Sequence, residues 1–181
     1  MEANLIRTKL KEHIENRNEL RIERKKIDTN PLNCVPLVLS EKLLLIAYIY
    51  DFEQDGYMII RIKDISSIKY GDSQKFSEKI LRNEGVLDKI VSPPITQIDN
   101  WEIVFKQLKM AENNIIIECE SVENGEFYIG KIVEVNKNNL MFLNFNGAGE
   151  WDKEPTKILY RNITSISLNK KYTLTISKYL K

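Results

Sequence analysis

The spacing of apolar residues changes period along this chain, and the changes mark its elements. From residue 2 to about 27, Ile6, Leu10 and Ile14 recur at helical spacing among charges of both signs, which predicts an amphipathic helix with Glu12, Glu15, Glu19 and Glu23 facing solvent as i,i+4 partners of lysines and arginines. Asn30-Pro31 ends it. Residues 37–39, the near-continuous apolar run 43–50, and 56–62 predict strands, with an acidic turn at 51–56 in which Gly56 supplies the unusual backbone angle. Phe76, Ile80 and Leu81 predict a helix over about 73–84, stopped near Gly85. Val91-Ser92-Pro93-Pro94 reads as a linker.

Helical period returns at Trp101, Val104, Phe105 and Leu108, which predicts a helix over 99–111 with Asp99 as N-cap and Glu102 at the third position. Strand alternation follows at Ile115, Ile117 and Cys119, and Asn124-Gly125 is a hairpin signal. Phe127, Ile129, Val133 and Val135 are expected to line one face of a strand that Gly130 bends. A turn at Asn138-Asn139, a strand over 140–145, a flexible excursion over 147–152, and strands over 157–160 and 163–168 complete five. Ile163 and Ile166 fall on the last of them, and no helix is expected between 126 and 146. Five short strands with a bent second one predict a closed or nearly closed barrel.

One stretch is written twice. Asp64-Ile65-Ser66-Ser67-Ile68 and Asn162-Ile163-Thr164-Ser165-Ile166 each pair a turn-forming Asp or Asn with a β-branched run, so each reads as a turn and then the closing strand of a β-unit. The expected fold class is α+β, with two small antiparallel β-units. The expected domains are an N-terminal helix over 1–29, a first unit over 30–92, and a second over 93–181 whose barrel spans 115–168.

Composition narrows the chemistry. The 181 residues carry a formal net charge of +1, so no global field draws the chain to nucleic acid or an anionic membrane. No apolar run reaches the ~20 residues of a membrane helix, and no signal peptide is evident, which points to a cytoplasmic protein. Cys34 and Cys119 lie far apart and read as buried free thiols. The one histidine, His13, is placed on a solvated helix face and rules out a multi-histidine metal site. Asp51 opens a run like a calcium loop, but Ile62 occupies the twelfth position, where a bidentate Glu is required. Glu118 and Glu120 read as solvent-facing strand residues. No enzyme and no cofactor is expected.

Helix 99–111, the bent strand with Phe127 and Gly130, the turn Asn136-Lys137-Asn138-Asn139, and the run from Ile158 to Ile166 resemble the Sm-like fold. The closing run is similar to the second motif of the bacterial Sm-like RNA chaperone. The whole chain also resembles bacterial proteins with a C-terminal Sm-like unit, which implies no activity. Sm-like proteins bind single-stranded RNA, and the resemblance places Asn139 at their loop Asn and Arg161 at their basic residue. It also lacks their aromatic stacker, a main source of affinity.

The expected function is therefore non-catalytic interaction with a protein partner or with copies of itself, RNA binding being the alternative. The loop with Gly147, Gly149, Glu150, Trp151 and Asp152 is the candidate contact surface. There Trp151 is partly exposed or docked between the units, or else caps the barrel mouth.

Overall fold

A computed structural model describes residues 2–111 and 113–181. They form two compact units that divide between Pro94 and Ile95, each α+β with five antiparallel strands. No helix among the described residues is long and apolar enough to cross a membrane.

In the first unit the helix is shorter than its pattern predicts. Helix α1 spans Glu2–Glu15. It stops because Arg17 turns left-handed at φ 52°, so that Asn18 N–H bonds His13 O and Arg17 N–H bonds Ile14 O, the two bonds of a Schellman cap. The cap lacks its usual glycine, which hid it. Residues expected in the helix instead form strand β1, Leu20–Arg24, whose Leu20 and Ile22 are fully buried. Glu19 and Glu23, expected on a solvated face, are buried as well.

Strand β2, Asp28–Leu39, begins well before the predicted residue 37 and runs through Pro31 and Pro36. The second proline sits where the ladder to β3 (Leu43–Tyr50) shifts register, a place where a missing N–H is tolerated. Strand β4, Glu53–Arg61, returns from β3. The hairpin turn is Asp51-Phe52, both with positive φ; Gly56, at φ 72°, lies inside β4 where the β3 ladder shifts, and not in the turn. A short 3-10 turn over Ile62–Asp64 leads to β5, Ser67–Lys69. Helices α2 (Asp72–Asn83) and α3 (Val86–Lys89) follow on either side of left-handed Gly85. The sheet order is β5-β1-β2-β3-β4, and its core gathers Leu10, Leu20, Ile22, Cys34, Leu44, Ile46 and Ile60.

The second unit opens with α4, Trp101–Met110, whose Trp101, Val104, Phe105 and Leu108 are buried as the period predicts. Its cap is Asn100, whose Oδ1 accepts from Ile103 N–H at 3.0 Å, in place of the predicted Asp99. Strands β6 (Ile115–Cys119), β7 (Glu126–Val135), β8 (Asn139–Asn144), β9 (Thr156–Leu159) and β10 (Ser165–Leu168) follow, then helix α5, Lys171–Ile176. No helix interrupts 126–146. Ile166 lies in the last strand, but Ile163 belongs to the turn before it. At Gly130, φ 156°, an added Cβ would stand 2.0 Å from Leu143 O, so β7 bends over β8 only with a bare backbone there. The order is β10-β6-β7-β8-β9. The expected closure is absent: β9 and β10 are not neighbours, and the sheet is open.

The two units write one register twice. In the first, Cys34 pairs with Tyr48, Pro36 with Ile46, a residue bulges out, and Val38 pairs with Leu45. In the second, Gly130 pairs with Asn144, Ile132 with Phe142, a residue bulges out, and Glu134 pairs with Met141. The next ladder matches also, with Leu44 opposite Ile60 and Leu140 opposite Ile158.

Candidate functional site

The repeated stretch closes each unit with the same hydrogen-bond clamp. Ser66 directs its N–H (2.8 Å) and hydroxyl (2.9 Å) to Glu23 O, accepts from Lys25 N–H, and leaves Ser67 to donate to the Glu23 carboxylate at 2.7 Å. In the second unit Thr164 directs N–H (2.9 Å) and hydroxyl (2.8 Å) to Glu118 O and accepts from Glu120 N–H, while Ser165 donates to the Glu118 carboxylate. Lys69, then Ser67 and Lys25, hold the Glu23 carboxyl down at about 2. Glu118 and Glu120 are thus half-buried clamp members, not the solvent-facing pair expected. The stretch fastens a strand.

Asn139 and Arg161 do come to one end of the second unit. Tyr160 N–H bonds Asn138 O at 3.1 Å and its hydroxyl bonds Asn136 O at 2.8 Å, which fixes the turn bearing Arg161 beside the turn bearing Asn139. Asn139 Oδ1 accepts from the Asn136 amide at 3.3 Å, and Arg161 is exposed. Burial, then nearby Glu102, pushes the Tyr160 hydroxyl up to about 12, so it remains a neutral donor. The register equivalents in the first unit are Leu43, 2% exposed, and Lys63.

The loop at 147–152, expected to be flexible, is tied down. Asn146 Oδ1 accepts from Ala148 and Glu150 N–H, and Lys181 N–H bonds Gly149 O at 2.9 Å. Gly149 is buried at φ 74°, its Cβ position 3.3 Å from Tyr179 O. Gly147, Glu150 and Asp152 are exposed. Trp151 is half-buried edge-on to Phe145 at 5.4 Å, beneath Lys131 Nζ at 4.8 Å, and joins Ile116, Ile129, Ile176 and Leu180 in one cluster. Within its unit the indole is a lid on an apolar patch, with no barrel mouth for it to cap.

Strands β5 and β9 each pair on one side only. In β9 the bond from Tyr160 to Asn138 sets the phase of the ladder, so Ile158 exchanges hydrogen bonds with β8 while Lys157 and Leu159 turn their N–H groups outward. Beside β5, residues of α1 and the clamp enclose a groove of about 400 Å³, with Leu5, Ile6 and Ile68 among its apolar lining and Lys9, Lys26 and Lys63 at its rim.

A buried polar cluster lay outside the sequence reading. His13 Nδ1 lies 3.0 Å from Asn18 Oδ1, and its ring packs 5.0 Å from Tyr70, so it is half-buried instead of solvated. Glu78 accepts from Asn18, Glu19 N–H, Tyr70 and Arg82. Burial opposes its charge, but these donors together hold its carboxyl below the ordinary value. Glu19 is the opposite case: 2% exposed, one carboxyl oxygen without a partner, it is pushed up to about 7 by burial, with Ser77 lowering and Glu78 raising it. Burial, with Glu19 adding, also raises the Cys34 thiol far above its usual range, which leaves it inert. A buried Glu at a strand start has no sequence signal once the segment is read as helix.

Among the described residues no three His, Cys, Asp or Glu side chains are grouped to hold a metal. No protein-family model matches this chain, and no curated protein and no solved structure matches it.

Proposed function

We propose that this chain is a non-catalytic interaction protein that associates, first of all with copies of itself, through the sheet edges of two Sm-like β-units. The observation that carries the reading is β9: a one-sided strand whose outward N–H groups, at Lys157 and Leu159, are unused by its own sheet. An open edge of this kind recruits a further strand by main-chain hydrogen bonds.

The test is Lys157→Pro, examined by light scattering and sedimentation across a concentration series. The side chain is exposed and the N–H points away from β8, so proline spares the ladder to β8 while blocking the edge. Association by wild type, with dissociation of the variant at little change in melting temperature, is the expected result. A wild-type monomer at all concentrations, or an assembly indifferent to the variant, removes the reading.

The juxtaposition of Asn139 and Arg161 favours a second reading, an RNA-binding end on the second unit. Low net charge and the missing aromatic weigh against it. Micromolar binding of single-stranded RNA near physiological salt, lost in Arg161→Ala with the fold intact, would establish it.

A further inference from the structure

The turn joining β3 to β4 is built from the wrong residues for its shape. Tyr50 pairs with Glu53, leaving a two-residue loop in which Asp51 and Phe52 both take positive φ, 46° and 62°. A type I′ turn demands this at both positions and is ordinarily met by Asn-Gly. Asp tolerates the left-handed region, whereas a bulky aromatic there is an outlier, and such strain persists where a function holds it. What the strain achieves is presentation. Phe52 is 49% exposed and Tyr50 61%, and the flanking Asp51 and Glu53 are exposed too. The tip is an apolar knob in an acidic collar.

The groove beside β5 is its complement, with an apolar lining, three lysines at the rim, and a volume of about 400 Å³, ample for one aromatic ring. Its one acidic lining residue, Asp64, is paired with Arg61. A chain cannot fill its own groove with its own tip. The tip lies at the Glu53 end of β4, and the groove residues Lys63 to Ile68 follow the Arg61 end; nine strand residues at about 3.3 Å each hold them roughly 30 Å apart.

We propose that the Tyr50–Glu53 tip of one copy docks in the groove between α1 and β5 of a second copy, Phe52 entering among Leu5, Ile6 and Ile68 and the tip carboxylates meeting Lys9, Lys26 and Lys63. The contact is head-to-tail and uses different surfaces on the two copies. It rests on the self-association reading but not on the β9 edge.

The experiment measures sedimentation of the full chain at low and high salt, for wild type, Phe52→Gly, and Lys9→Glu with Lys63→Glu. Phe52→Gly removes the knob and relieves the turn, so it is expected to raise the melting temperature while weakening association at least tenfold. The double charge reversal weakens association similarly, and restoring opposite charges with Asp51→Lys and Glu53→Lys recovers it. A fall in melting temperature with unchanged association would mean that Phe52 serves only its own hairpin, and would overturn the proposal. So would an assembly sensitive to Lys157→Pro but indifferent to both tip and groove variants, an outcome that leaves the edge reading standing. A chain that stays monomeric throughout overturns both, whereas a groove whose variants alter only binding to a single-stranded RNA probe overturns the docking alone.

Discussion

Replacing Glu19 by Gln should make the protein more stable at pH 8 and leave it nearly unchanged at pH 4.5. The carboxyl is enclosed at the start of β1, with Ser77, Glu78 and Arg82 of α2, Cys34 of β2, and Asn18, Tyr70 and His13 around the same cluster. Among the described residues Ser77 alone offers it a donor, while the ionised Glu78 beside it repels a second negative charge. The folded chain therefore keeps this proton up to about pH 7, whereas the unfolded chain releases it near 4.5. Between those values the folded state binds more protons, so stability falls as pH rises through the window and the loss is complete above it. At 1.36 kcal/mol per pH decade the interval corresponds to about 3 kcal/mol at most.

Urea unfolding of wild type and Glu19→Gln from pH 4.5 to 9 checks this. Titrations common to both proteins cancel in the difference curve. Glu23, held down at about 2, makes its contribution above 4.5 and loses it as pH falls toward 2, outside the window. The expected difference grows from near zero to about 2–3 kcal/mol in favour of the variant and then levels off. A flat difference, or one that favours wild type at pH 8, would refute the argument by showing that Glu19 is charged and paired in the folded state.

The clamp yields a paired test. Thr164 is fully buried and Ser66 exposed, so Thr164→Val should cost about 1–3 kcal/mol and Ser66→Ala less than about 1 kcal/mol in urea unfolding. Equal losses would show that burial does not set the value of the clamp. Trp151→Ala should cost about 2 kcal/mol in thermal unfolding, less than a fully buried Trp, with association unchanged. Lost association at constant stability would make the loop a contact surface and not a lid.

Periodicity was legible in the sequence wherever a segment obeyed one rule. α4 follows its apolar spacing, whereas α2 forms where it was read but exposes Phe76, and β7 exposes Phe127 and Val133 of its expected apolar face; Gly130 marked its bend because only a bare backbone fits there. Errors arose where a short-range signal was missing or misplaced. Arg17 caps α1 in a conformation usually reserved for glycine, so the end of the helix and the whole of β1 went unread, and with them the burial of Glu19. Asp51-Phe52 turns without a turn residue, and Gly56 drew the turn to the wrong place. Closure of the second sheet was inferred from strand number and a bend, but closure depends on edges far apart in sequence, which no local pattern reports. The repeated stretch was legible as a repeat because each copy must supply the same hydroxyls to the same glutamate.

That repetition limits where a ligand function can reside. Positions alike in the two units face inward or fasten the closing strand: Leu44 and Leu140, Ile60 and Ile158, Ile22 and Ile117, Glu23 and Glu118. Positions that differ lie at the turns and outer faces, with Leu43 opposite Arg61 where Asn139 lies opposite Leu159, and Arg21 and Asn33 paired where Ile116 and Ile129 pair. Leu43 is buried and has no side-chain donor or acceptor, so recognition through Asn139 is confined to the second unit. Arg21 and Asn33 are polar and exposed, so the first unit has no apolar patch at this place for a lid like Trp151 to cover. The knob at Phe52 and the lysine-rimmed groove beside β5 are accordingly the first unit's own, so the docking proposed above uses residues that the second unit does not repeat.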